Sequence, residues 1–279
     1  MTEKKSKHPR YRFCAASDRG SIRERNEDYY GIFVPDTEEL ADRFGVLAVI
    51  SDGMGGHFSG AEASKKAVES VGDAYFEGSG ASISSIVRSD LAAPAHHESK
   101  GRSEASLVNK LRWSILEANR QVFESVGEGH NGMAGTTCTA IVFLPEFMHI
   151  AHAGDSRAYL VRDGELRQLT EDHSVVGEMV RKGMLSRKDA NKHPQRNIIT
   201  KAVGLRGQLD IDVDESIPVE TGDRILLCTD GLFSMLDEDE ILEIAAKGTL
   251  QKACETLVRR AKDEGGIDNI TVMIVERVR

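Results

Sequence analysis

The sequence predicts an α+β fold in which antiparallel sheets are layered with helices. Three observations lead there. Helical and strand patterns come in blocks rather than in the strict alternation of a parallel βαβ fold. Residues 158–161 and 165–169 read as strands on either side of Asp163-Gly164, a strong hairpin signal because both turn positions want positive φ. Two short apolar runs, 46–50 and 224–229, each feed an Asp-Gly pair, as buried strands ending in a turn do.

In chain order, residues 1–10 carry Lys4, Lys5, Lys7 and Arg10 with no apolar run behind them. They read as a solvated tail rather than a targeting signal, and residues 11–279 as a single domain. After the strand at 46–50, residues 59–76 place Ala63, Ala67, Val71 and Ala74 at helical spacing. Residues 78–105 are rich in Ser, Gly and Ala and break all periodicity, so a mobile insertion is expected there. Leu107, Leu111, Ile115, Ala118, Val122 and Val126 trace one face of a long helix. Strands are expected at 136–144 and 149–153, followed by the hairpin. Residues 172–200 change character: helical patterns at 175–182 and 186–191 flank a polar turn, and His193-Pro194 ends the second. A small subdomain beside the main body is expected. Asp237 with Glu240 suggests a capping box ahead of Ile241. Leu250, Cys254, Leu257 and Ala261 mark the last helix, and 270–275 the closing strand.

A domain of this size buries roughly 75% of the surface its unfolded chain exposes, so it needs no disulfide staples. The four cysteines form no CxxC pair and read as small buried hydrophobes in a reducing, cytoplasmic setting. With 36 basic and 45 acidic residues the formal charge is −9, which disfavours nucleic acid and anionic membranes as partners. No stretch approaches the roughly 20 apolar residues of a membrane helix.

Five acidic stations run along the chain: Glu27-Asp28, Asp52, Asp155, Asp230 and Asp268. All but the first adjoin a strand-like run, so their carboxylates sit at strand ends. Gly53 and Gly231 follow two of them, allowing a backbone carbonyl or a ligand to come close. If the acids converge, each pair about 4 Å apart repels by about 4 kcal/mol at an effective dielectric near 20. Cations would relieve that more economically than protons. The donors are all oxygen: the carboxylates plus the Gly53 carbonyl, with Glu27 and Asp28 acting through waters. Such a set selects Mg or Mn over zinc, and two ions together activate water against a phosphate. Arg23 stands ready to hold phosphate oxygens bidentately.

Seven segments carry a resemblance: GSIRERNED at 20–28, SDGMGG at 51–56, GTT at 135–137, AGDSR at 153–157, HPQR at 193–196, TDGL at 229–232 and DNIT at 268–271. Their order and spread resemble the bacterial metal-dependent protein phosphatases of type 2C. The resemblance implies a four-layer α-β-β-α sandwich whose substrates are phosphoserine and phosphothreonine proteins. Hydroxide activated by two Mn or Mg ions would attack directly. Asp52 would bridge the ions, Asp230 and Asp268 would complete one site, and the Gly53 carbonyl would serve the other. Asp155 would help Asp230 hold a third, weaker ion. Residues 172–200 match the flap bordering the catalytic groove. A monomer opposing a Ser/Thr kinase is expected; a phosphatase of one regulator, of the anti-sigma-antagonist kind, and an inactive phosphoprotein-binding relative are the alternatives. Many eukaryotic members have His at the position of Met54, and Met cannot protonate a leaving alkoxide, so the acid would be a metal-bound water or another residue. His57 reads as a loop histidine.

Other signals fall away. Cys254-x5-Arg260 lies in a helical pattern without a phosphate loop. Asp210, Asp212 and Asp214 lack the glycine and closing glutamate of a calcium loop and read as a strand with a solvated acidic face. His96-His97 has no second ligand pair, and neither a dinucleotide nor an ATP-binding glycine motif is present.

Overall fold

A computed structural model describes residues 10–55, 58–80, 83–87, 104–127, 134–190 and 192–278. The tail before Arg10, His57, His96-His97 and residues 88–103 lie outside the described residues.

The elements run β1 (Tyr11–Asp18), β2 (Tyr29–Pro35), α1 (Glu38–Phe44), β3 (Val46–Ser51), β4 (Gly53–Met54), α2 (Phe58–Phe76), β5 (Ile83–Val87) and α3 (Glu104–Val122). The helix α3 ends in a wider π turn over Phe123–Gly127. There follow β6 (Gly135–Thr136), β7 (Cys138–Phe143), β8 (Phe147–Ala153), β9 (Arg157–Arg162), β10 (Glu165–Gln168), α4 (Val175–Arg181) and α5 (Arg187–Ala190). The chain closes with β11 (Asp212–Pro218), β12 (Arg224–Cys228), α6 (Asp230–Phe233), α7 (Glu238–Ala245), α8 (Leu250–Asp263) and β13 (Ile270–Arg277).

One sheet has the order β1-β13-β12-β9-β10, the other β11-β8-β7-β3-β2-β5, and neighbours in both pair antiparallel. Side-chain alternation makes the four layers. Val46, Ala48 and Ile50 of β3 meet Ile225, Leu227, Met273 and Val275 between the sheets. The intervening Leu47 and Val49 face Ala63, Ala67, Leu111 and Ile115 of α2 and α3. Leu226, Val272 and Ile274 face Ile241, Cys254 and Leu257 of α7 and α8 on the opposite side. The expected sandwich is therefore present.

The hairpin turns where expected, with Asp163 at φ 53° and Gly164 at φ 79°. Only half of the capping box forms: Asp237 accepts from the Glu240 N–H at 2.9 Å, while the Glu240 carboxylate turns to Arg260 at 2.7 Å. Three differences from the sequence reading have physical causes. The sequence pattern marks neither β1 nor β2; in β1 the run of small residues Cys14, Ala15 and Ala16 gives a weak periodic signal. Residues 83–87, which the sequence places in an irregular insertion, pair with β2 as an edge strand, because the free edge of β2 supplies a backbone partner that local sequence cannot show. The acidic face near Asp212 is not simply solvated: Lys201 Nζ donates to its Oδ1 at 2.7 Å, and His173 Nε2 lies 3.0 Å from Oδ2. The strand also begins only at Asp212, with its register shifting between Asp214 and Ile217.

Candidate active site

Strand register brings the acidic stations to one end of the sandwich. In one sheet Tyr29 pairs with Ser51, so Asp28 and Asp52 leave their strands side by side. In the other, Cys228 pairs with both Arg157 and Val272, which sets Asp155, Asp230 and Asp268 around the same end. The seam between the sheets is stitched by side chains. Thr229 Oγ1 donates to Asp28 Oδ2 at 2.8 Å. The Glu27 N–H donates to Asn269 Oδ1 at 2.7 Å, and Asn269 Nδ2 donates to the carbonyls of Arg19 and Arg25 at 3.0 and 2.7 Å. Asn269 thus holds the loop bearing Arg23 and Glu27 against the closing strand.

Asp52 is fixed through its backbone. Its N–H donates to Thr137 Oγ1 at 2.8 Å, and its carbonyl accepts from Thr136 Oγ1 at 2.7 Å. Thr137 Oγ1 lies 2.7 Å from Ser156 Oγ, next to Asp155. The glycines after Asp52 and Asp230 answer to neighbouring backbone: a Cβ on Gly53 would lie 2.2 Å from the Gly60 carbonyl oxygen, and one on Gly231 2.0 Å from that of Asn269. Thr137, Ser156 and Asn269 were legible only as letters within motifs. Their positioning work depends on pairings between distant strands.

Asp28 is fully buried and Asp155 is 6% exposed; Asp52 and Asp230 keep an open edge but lie deep among other atoms. Burial, and then the neighbouring Asp230 and Asp268, push the Asp28 carboxyl up to about 7 against hydrogen bonds from Thr271 and Thr229. Asp52 is driven well above the usual carboxylate range by burial first, then by Asp28, Asp230, Asp155 and Asp268. Burial and Asp230 raise Asp155. Burial and Asp268 raise Asp230 to about 6, against Arg23 and a hydrogen bond with Asp52. Four acids thus share one poorly solvated space. Asp28 Oδ1 and Asp230 Oδ1 are buried with no hydrogen-bond partner.

Arg23 reaches the same place. Its Nη2 donates to Asp268 Oδ2 at 2.7 Å, with half of the arginine side chain exposed, and its charge also acts on Glu27 and Asp52. The Glu27 carboxylate turns toward α2, where it would contact a Cβ on Gly60. The structure therefore gathers Arg23, Glu27, Asp28, Asp52, Gly53, Asp155, Asp230 and Asp268. Among the described residues, no three acid, imidazole or thiol side chains already surround a single point as a closed metal cage. The open orientation includes Asp268, engaged by Arg23. The oxygen-only donor set and the two orphaned carboxylate oxygens nevertheless fit hard divalent cations.

A cavity of about 510 Å³ opens beside this cluster, between residues 168–197 and the start of α7, with Asp155, Asp172, Arg196, Asp230 and Asp237 in its wall. It takes in Asp155 and Asp230 but not Asp28, Asp52 or Asp268. Cys254 is buried on α8, with its thiol pKa raised by contact with Cys14 and by burial, as an inert core residue should be.

The protein phosphatase 2C family model matches residues 23–269. The chain belongs to the protein phosphatase 2C family. It is 37% identical over 264 residues to the serine/threonine phosphatase stp of Listeria monocytogenes, with 94% of each chain covered. The solved serine/threonine phosphatase of S. agalactiae superposes with a TM-score of 0.79 at 30% identity, over 96% of this chain and 100% of the other. The catalytic domain of the serine/threonine protein phosphatase PstP in complex with two manganese ions gives 0.73 at 28% identity, over 97% and 99%. This phosphatase is accordingly a protein-serine/threonine phosphatase, built as two antiparallel sheets between helical layers. No helix among its described residues is long and apolar enough to cross a membrane.

Proposed function

We propose that this phosphatase hydrolyses phosphoserine and phosphothreonine in proteins with two Mn or Mg ions held by the acidic cluster. One observation carries the reading: four carboxyls crowd a buried space, and two of their oxygens have no partner. Asp52, Asp230, Asp268 and the Gly53 carbonyl would hold the pair, Glu27 and Asp28 would act through waters, and Asp155 with Asp230 would hold a third, weaker ion. Bound there, the ions would lower the pKa of water and polarise phosphoryl oxygens.

The chain's own residues do the rest. Arg23 swings from Asp268 to the phosphate, to which its planar fork is matched. Thr136, Thr137 and Ser156 keep Asp52 and Asp155 in place. Residues 172–200 form a flap over the groove and meet the polypeptide around the phosphorylated residue. Met54 supplies no proton to the leaving alkoxide. The manganese bound by PstP and the names of the relatives support the same reading. We place the protein in the cytoplasm, as a monomer reversing a Ser/Thr kinase.

Hydrolysis of a small aryl phosphate should require added Mn or Mg and stop with chelator; metal-independent turnover by the pure protein would refute the mechanism. Phosphoproteomics of a deletion strain tests the kinase role: many phosphosites should rise, and a single changed protein would contradict it.

A further inference from the structure

Beside the acidic cluster, a dense polar construction joins the shelf at 152–157 to the neck of the flap at 171–173. His152 Nε2 lies 3.1 Å from the Glu171 carbonyl. The His173 N–H donates to the Gly154 carbonyl at 2.7 Å, and the Gly154 N–H returns a bond to His173 Nδ1 at 3.1 Å. The Thr200 N–H donates to the His173 carbonyl at 2.7 Å, tying the far end of the flap to the same residue.

Arg157 lies at the centre. Its Nε donates to Asp172 Oδ1 at 2.9 Å and its Nη2 to Oδ2 at 2.6 Å, with both side chains only 13% exposed. Its Nη1 donates to the Tyr159 hydroxyl at 3.0 Å. The guanidinium face lies 3.7 Å from the centroid of Phe233, one turn after Asp230. The guanidinium of Arg157 thus ties β9, its own strand, to two other elements: the flap neck through its edge and α6 through its face, with a third N–H held by Tyr159 of β9. A lysine in this place could keep the charge but not the fork and the stack together.

We propose that Arg157 is a positioning residue that locks the neck of the flap to the strand ends carrying Asp155 and Asp230, so that flap order and metal affinity are set together. This rests on the metal-site reading above. A residue of this kind touches neither substrate nor ion, yet loss of such a supporting contact commonly weakens metal binding by about 10-fold or more.

The test is Arg157→Lys in the full chain, with three readouts. Backbone hydrogen exchange across 171–200 is followed in chelated protein, Mn binding by calorimetry, and kcat and KM with an aryl phosphate. Exchange in the flap should quicken by about 10-fold as the neck opens more often. Mn affinity should fall by about 10-fold, and kcat should fall more than KM rises. A folded variant with wild-type exchange and wild-type Mn binding overturns the proposal, and so does a change in only one of the two. Should Arg157→Lys fail to fold, Asp172→Asn decides, because it keeps Arg157 and its ring contact. Smaller changes in both readouts support the lock, and none overturns it. A wild-type protein that binds no Mn marks failure of the metal-site reading instead, and flap exchange alone then judges the lock.

Discussion

Two groups of buried carboxylates in this molecule are treated in opposite ways. Asp172 and Asp223 each face an arginine fork: Arg157 holds the first, while Arg162 donates to both oxygens of the second at 2.8 and 2.6 Å. Asp223 also accepts the Glu220 N–H at 2.6 Å. Asp28, Asp52, Asp155 and Asp230 have no such fork, and each is pushed upward by burial and by the others. The fold can neutralise an interior acid with arginine and does so twice within these few strands. Leaving four acids to repel one another opposes stability, which marks the cluster as a place kept for binding rather than for folding.

The two groups should differ most in activity. Asp52→Ala, Asp230→Asn and Asp268→Ala should each lower Mn-dependent turnover of an aryl phosphate by about 1000-fold or more, since each removes a proposed metal ligand. Circular dichroism should show the fold intact. Turnover within tenfold of wild type would remove that residue from the site. Asp223→Ala should do the reverse. It removes the acceptor of two Arg162 N–H groups and of the Glu220 N–H, while Arg162 keeps Glu220 and the Pro218 carbonyl, and should cost about 1–3 kcal/mol in urea unfolding, with kcat unchanged. A stable variant with lost activity would erase the distinction between the two groups.

How much of this was legible beforehand follows from the range of each interaction. The Asp163-Gly164 hairpin and the buried strand β3 were readable because their causes are local: turn chemistry and an unbroken apolar run. The acidic stations were readable because each adjoins such a run. The first two strands and the β5 edge were not, since small or mixed side chains become strand only when a neighbour supplies the pairing. Arg157 stood in a recognised motif, but its partners lie at positions 172 and 233. That Arg23 rests on Asp268, 245 positions away, is likewise a product of folding.

Smaller effects sharpen the contrast. Arg23→Ala should raise KM for an aryl phosphate by about 10-fold with kcat changed less, because a charge-assisted phosphate contact is lost; an unchanged KM would take Arg23 out of the site. The smallest effect concerns pH. Asp28 titrates near 7 in the folded chain, above its ordinary value of 3.8. Between those two values the folded state binds more protons than the unfolded, so stability falls as pH rises. Chelated protein should therefore gain thermal stability on going from pH 8 to pH 5, and Asp28→Asn should flatten that dependence. A parallel slope in the variant would contradict the titration.

The most direct measurement is calorimetric titration of chelated protein with Mn near pH 6.5, repeated in two buffers of different ionisation enthalpy. Carboxyls that hold protons only because no cation is present must give them up on binding. Two Mn ions per chain should bind with net proton release, seen as a buffer-dependent enthalpy that shrinks in Asp52→Ala. An absence of Mn binding, or binding that Asp52→Ala leaves untouched, would contradict it.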